Sequence, residues 1–219
     1  MSTPATTTPT IERRYTAGAV ELRAAEGEAR RTVRGYAAVF GKRSDNLGGD
    51  AYQVYEVIEP GAFDAVLQDD VRALFNHDAN LILARSKGGS GTLALGVDER
   101  GLWYEFEAPD TTAGRDLLVS LARGDVDQSS FAFTVDRDGQ KWVEVTEAGK
   151  TIATRTIKKI TRLYDVSPVT YPAYPDATAA LRSLDEHRRA EAPVPPPAAA
   201  APQFPITGAQ AARLGLNVQ

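Results

Sequence analysis

Apolar and polar side chains alternate with a period of two along much of this chain, and the few helical patterns are short. Over residues 32–40, Val33, Gly35, Ala37 and Val39 fall on one side and Arg34, Tyr36, Ala38 and Phe40 on the other, the spacing of a strand. Further strands are predicted at 14–22, 51–58 and 71–77, where Val71, Ala73, Phe75 and His77 share a face and leave His77 at the end of an apolar row. Residues 91–97 and 102–108 read as a hairpin closed by Asp98-Glu99-Arg100-Gly101. Segments 129–135 and 142–145 follow, then a long, partly exposed strand over 151–166 that carries Lys158 and Lys159.

Helices are predicted in three places. Pro60 opens a short one through Leu67, since proline is tolerated in a first helical turn. Thr111 or Thr112 caps the second, which groups Leu117, Leu118 and Leu121 and closes at Gly124. The third covers 176–189, with Ala177, Ala180, Leu181 and Leu184 on one side. Many strands with two or three helices imply an α+β fold built on a barrel-like antiparallel β-sheet.

The ends differ from the middle. Residues 1–12 begin with a Ser/Thr/Pro-rich stretch that has too few large apolar groups to offset the entropy of ordering, so a disordered leader is expected. One domain is expected over 13–189, then an Ala/Pro-rich linker over 190–205. Apolar residues return in 206–219, where Thr207 can cap a short helix containing Ala209, Ala212 and Leu214. Such a peptide suits docking or self-processing.

Composition removes several chemistries. The 219 residues include no cysteine, which excludes a thiol nucleophile, thiolate metal sites and disulfides. A net charge of −4 without a basic stripe argues against nucleic acid as a partner. No apolar run approaches a membrane span, and no signal peptide is recognisable, so a soluble, unexported protein is expected. No ligand cluster suggests a metal, and no cofactor is expected. The loop Ser86-Lys87-Gly88-Gly89-Ser90-Gly91 lacks the Lys-Ser ending of a nucleotide-binding loop, and Gly-x-Ser-x-Gly is absent.

The remaining chemistry is that of a hydroxyl and an imidazole. Of the two histidines, His187 sits in the charged run Asp185-Glu186-His187-Arg188-Arg189, which suits a solvated helix, and His77 lies in Leu74-Phe75-Asn76-His77-Asp78. Acyl transfer needs a hydroxyl within reach of a neutral imidazole. Ser129 and Ser130 compete for that role inside an apolar strand. Parity places Ser129 with Phe131, Phe133 and Val135, while Ser130 shares a face with Ala132 and Thr134, small residues that could admit a peptide.

These residues and their surroundings resemble the tailed-phage prohead proteases, which trim scaffold and capsid precursors during head maturation. The resemblance runs from about Arg14 to Leu184. It is carried in order by Val33-Arg34-Gly35-Tyr36-Ala37-Ala38-Val39-Phe40, Glu59-Pro60-Gly61-Ala62-Phe63, Phe75-Asn76-His77-Asp78, Gly91-Thr92-Leu93, Asp110-Thr111-Thr112, Arg123-Gly124-Asp125-Val126, Ser130-Phe131-Ala132-Phe133 and Asp165-Val166-Ser167-Pro168-Val169-Thr170-Tyr171-Pro172-Ala173. Ala132 and Ala84 stand where that family often has glycine.

The resemblance implies a relative of the herpesvirus assemblin fold and a serine endopeptidase with Ser130 as nucleophile and His77 as base. It implies Asp165, the acid before Val-Ser, as orienter, and it matches Arg85 as an oxyanion or substrate contact. A histidine orienter would require His187. Asp78 is awkward because consecutive strand side chains diverge, and Asp127 and Glu144 are outsiders. The implied substrates are the major capsid protein precursor, the scaffold and the enzyme itself, in the host cytoplasm inside the assembling procapsid. The fold also makes a homodimer thinkable. A scaffold-like head protein that keeps the fold without catalysis is the alternative, and a small-molecule esterase ranks third.

Overall fold

The computed structural model describes residues 10–16, 20–23, 31–50, 52–147, 149–171 and 177–191. The expected leader lies mostly outside them, and the linker and C-terminal peptide almost wholly so. The expectations of disorder and docking there rest on sequence alone.

The described residues form three sheets and two α-helices. The largest sheet orders β1 (Glu12–Thr16), β10 (Gln128–Thr134), β13 (Arg162–Val169), β5 (Val71–Leu74), β6 (Ile82–Lys87) and β7 (Ser90–Gly91). A four-stranded antiparallel sheet joins β2 (Val20–Arg23), β3 (Thr32–Val39), β9 (Gly101–Glu107) and β8 (Leu93–Val97). A third sheet consists of β11 (Gln140–Glu147), β12 (Lys150–Ile157) and β4 (Tyr52–Ile58).

The barrel-like antiparallel expectation needs correction. Among the described residues there is no closed barrel, and two pairings, β13 with β5 and β12 with β4, are parallel. Alternation along a strand sets which face is buried. It does not set the direction of the neighbouring strand.

Local departures have local causes. Residues 60–67 form successive turns instead of a helix: Asp64 N–H bonds to Gly61 O and Val66 N–H to Phe63 O, and Gly61 takes φ 88°. A left-handed glycine so early in the segment suits a turn and prevents helical continuation. The strand expected over 151–166 is two, β12 and β13. The chain between them turns as Lys158 and Lys159 donate to Gly139 O and Thr161 to Thr134 O.

The helix at α1 (Thr112–Arg123) forms as expected. Thr111 accepts from Gly114 N–H, and Gly124 in the left-handed region at φ 78° ends it. Helix α2 (Ala177–Glu191) packs Ala180 and Leu184 into a small core with Leu47, Val54, Trp142 and Ala153.

The main core lies between the two larger sheets. Phe63 meets Phe131 edge to face with centroids 5.6 Å apart, and Phe131 stacks on Phe133 at 4.7 Å. Gly35 on β3 is needed here, because a Cβ would stand 2.5 Å from the Tyr104 ring. The space it leaves lets the buried Tyr104 reach the Ser129 hydroxyl at 2.7 Å.

A buried ion cluster that the pattern did not predict ties β1 to the third sheet. Arg14 binds Glu12 at 2.8 Å and also Glu56, while Arg155 binds Glu12 at 2.6 Å and Glu56 at 2.8 Å. Burial pushes the Glu56 carboxyl up, but Arg14 and Arg155 outweigh it and hold the group at about 2. Two cations and two anions interleave, so neither sign is left uncompensated.

Candidate active site

Strand parity survives folding at β10. Ser129 faces the core against Tyr104, and Ser130 faces the other way, paired across the ladder with Ser167 on β13 and Tyr15 on β1. The ladder then shifts register: Ala132 pairs with Asp165 but Phe133 with Leu163, so Tyr164 is the extra residue of a bulge. Bulges re-aim neighbouring side chains, and this one lies directly beside Asp165. Neither alanine that replaces a family glycine is strained. Among the described residues the positive-φ residues other than glycine are Asn76 and His77, so Ala132 and Ala84 lie outside the left-handed region.

His77 reaches the site by a route different from the one its pattern suggested. Strand β5 stops at Leu74, and residues 75–78 form a turn in which Asn76 and His77 have φ 55° and 58°. His77 is therefore not the last member of an apolar row. Two consecutive left-handed residues lift its ring out of the strand register. The turn is closed by Asp78 N–H to Phe75 O and Leu81 N–H to Asp78 O.

That lift brings three sequence-distant groups together. His77 Nε2 lies 2.6 Å from Ser130 Oγ, and His77 Nδ1 lies 2.6 Å from Asp165 Oδ1. With Asp165 ionised, the arrangement assigns the proton to Nδ1, donating to the carboxylate, and leaves Nε2 free to accept from the serine. Both side chains are less than a tenth exposed, so the hydrogen bonds operate in a medium of low polarity. Ser130 is fully buried. Its Oγ also lies 2.9 Å from the Arg14 carbonyl, so a single hydroxyl proton faces two acceptors.

Two neighbours went unassigned in the sequence. Ser167 Oγ donates to Asp165 Oδ1 at 2.8 Å and stands 3.3 Å from His77 Nδ1. Its position two residues after Asp165 on a strand was the available signal, because such residues share a face. Asn76 Oδ1 accepts from both Thr170 N–H and Thr170 Oγ. That contact spans a turn and a strand end, which no local pattern reveals.

The other candidates lie elsewhere. Arg85 is on β6, two strands from β13, half-exposed, with Nε and Nη2 each 2.7 Å from an Asp70 oxygen. The Arg85 hydrogen bonds foremost, with Arg72 at 3.2 Å, hold the Asp70 carboxyl down at about 2. Through the register Asp165 to Arg72 to Arg85 it shares the sheet face of the acid without touching the three-residue constellation. Asp78 accepts from Asn80 and closes the turn. Glu144 meets the Tyr52 hydroxyl on the third sheet, and His187 is on α2. Among the described residues no group of three or more His, Cys, Asp or Glu is placed to hold a metal ion, and no helix is long and apolar enough to cross a membrane.

Comparison with known proteins bears on this geometry. The family described as caudovirus prohead serine protease matches residues 18–190. No curated protein matches. Among solved structures, the bacteriophage T4 capsid assembly protease, gp21, is similar at 7% identity with a TM-score of 0.35, covering 72% of this chain and 99% of that one. A likeness so remote carries no inference about chemistry.

Proposed function

The chain belongs to the caudovirus prohead serine protease family, and on that premise we propose that it is an active serine endopeptidase of head maturation in which Ser130, His77 and Asp165 form the catalytic triad. The observation that carries the reading is the pair of 2.6 Å contacts made by one imidazole, to Ser130 on one side and Asp165 on the other.

The chemistry follows from the atoms. Ser130 Oγ attacks the scissile carbonyl carbon as His77 Nε2 removes its proton. The imidazolium that forms is stabilised by the Asp165 carboxylate through Nδ1–H, and it then protonates the leaving amine. Water deacylates the enzyme by the same route in reverse. Low polarity around the pair strengthens the stabilisation as charge develops. Ser130 has no exposed surface in the resting state, so substrate entry requires a neighbouring group to move. Arg85, half-exposed on the sheet face that holds Asp165, stands apart from the reacting atoms with its guanidinium on Asp70, which argues against the oxyanion role and leaves substrate contact as the role we propose for it.

The substrates we propose are the scaffold, the major capsid protein precursor and the enzyme itself, cleaved within the assembling procapsid in the host cytoplasm. Co-expression with both precursors, followed by mass spectrometry of the fragments, tests this. Wild-type chain should process them, and Ser130→Ala and His77→Ala should leave them intact while folding normally. Processing by either variant would sink the assignment.

The complete burial of Ser130 favours one second reading, a head assembly protein that keeps the fold and acts by binding. Such a protein would resist labelling by fluorophosphonates and show no autoproteolysis.

A further inference from the structure

The left-handed pair at residues 76 and 77, at φ 55° and 58°, demands an explanation, because a non-glycine residue there is strained and persists only where its surroundings fix it. Bonds within the turn close it locally, and apart from the His77 ring itself the contacts that tie the pair to a neighbouring strand come from Asn76. Its backbone N–H donates to Pro168 O at 3.0 Å, and its side-chain Oδ1 accepts from Thr170 N–H and Thr170 Oγ, each at 2.9 Å. Every partner lies at the end of β13 or just past it, the strand that carries Asp165 and Ser167.

We propose that Asn76 is a positioning residue for the reaction: its amide oxygen, clamped by Thr170, fixes the His77 turn to the strand of the acid and thereby sets the imidazole between Asp165 and Ser130. The inference rests on the catalytic reading above and extends it to a residue that touches no reacting atom. Asparagine suits the position twice over. It tolerates the left-handed backbone better than other side chains, and its carbonyl oxygen has two lone pairs, one for each Thr170 donor. Glycine would meet the first requirement and fail the second, while aspartate would keep the acceptor. The clamp leaves the serine to be placed independently, by the ladder between β10 and β13. Base and acid thus form one unit, and the nucleophile is brought to it.

The test uses full-length protein with Asn76→Gly, Thr170→Val and Asn76→Asp. It reads the inactivation rate constant and affinity for a fluorophosphonate together with the low-field proton resonance of His77 Nδ1–H. Asn76→Gly should lower the rate constant about tenfold to a hundredfold, the scale on which small misplacements act, with unchanged affinity and a lost or shifted Nδ1 proton. Thr170→Val should do the same more weakly, and Asn76→Asp should recover most of the rate. Wild-type rate and an unmoved Nδ1 proton in Asn76→Gly would overturn the proposal. If Asn76→Gly does not fold, the same two outcomes are read from Thr170→Val. If wild-type protein is not labelled, the catalytic reading fails, and the Nδ1 proton alone still reports whether Asn76 positions the ring.

Discussion

Two buried polar clusters lie on opposite faces of the same pair of strands. On one face of β1 and β10, Glu12 and Arg14 join Glu56 and Arg155 in a quartet of full charges that nearly fill one another's hydrogen-bonding capacity. On the other face, Ser130 meets His77 and Asp165 through single hydrogen bonds, and the imidazole sits on strained backbone. In the quartet the arginines do not release a proton near neutrality and the Glu56 carboxyl is held at about 2. In the proposed triad a proton can move between two heavy atoms. On the proposed reading burial serves stability on one face and reactivity on the other, so substitutions in the two clusters should separate folding from catalysis.

The largest separation is expected at Asp165. Asp165→Asn keeps the shape but offers His77 an amide, which favours the tautomer with its proton on Nε2, and that nitrogen can no longer accept from Ser130. A loss on the order of 10³- to 10⁴-fold in the fluorophosphonate reaction is expected, with the melting temperature within a few degrees of wild type. A parallel collapse of stability would mean that Asp165 is a structural ion like those of the quartet.

The converse experiment is Arg155→Met. Removing one cation leaves Glu12 and Glu56 sharing Arg14, and breaking a buried network in this way costs about 3–5 kcal/mol. Urea unfolding should show that loss, while protein that remains folded at low temperature should label at close to the wild-type rate. The same cluster gives the wild-type protein an acid limit. Because Glu56 lies below its ordinary value of 4.5 when folded, its contribution is complete above that pH and is lost as the pH falls toward about 2. Arg155→Met should flatten that part of the stability profile.

The two clusters were unequally legible. Ser130 could be distinguished from Ser129 because β10 is regular through those positions, so parity alone decides which hydroxyl meets Tyr104 and which faces His77. Helix α1 was equally plain, with Thr111 and Gly124 marking its ends. His77 was singled out by scarcity and by resemblance, but its geometry was hidden, since a left-handed pair after Phe75 leaves no mark on an apolar alternation. The quartet was invisible for a different reason. Glu12, Arg14, Glu56 and Arg155 look like surface positions one at a time, and only the convergence of β1, β4 and β12 supplies each with its counter-ion. The parallel pairings escaped for the same reason, because neighbours distant in sequence leave no local pattern.

The smallest effect, and the finest probe of the comparison, is expected at Ser167. Its hydroxyl donates to Asp165 Oδ1, the same oxygen that receives His77 Nδ1–H. A hydrogen bond to a charged acceptor is worth about 1.5–3 kcal/mol, but the buried aspartate keeps its imidazole partner, so Ser167→Ala should slow labelling only about tenfold. Ser167→Thr, which retains the hydroxyl, should recover much of that loss. If Ser167 acts through the Asp165 carboxylate, the double variant Ser167→Ala/Asp165→Asn should react no more slowly than Asp165→Asn alone. Losses that multiplied would assign Ser167 a separate path to the nucleophile, directly across the ladder at Ser130, and would make the two hydroxyls of that pair partners in the chemistry.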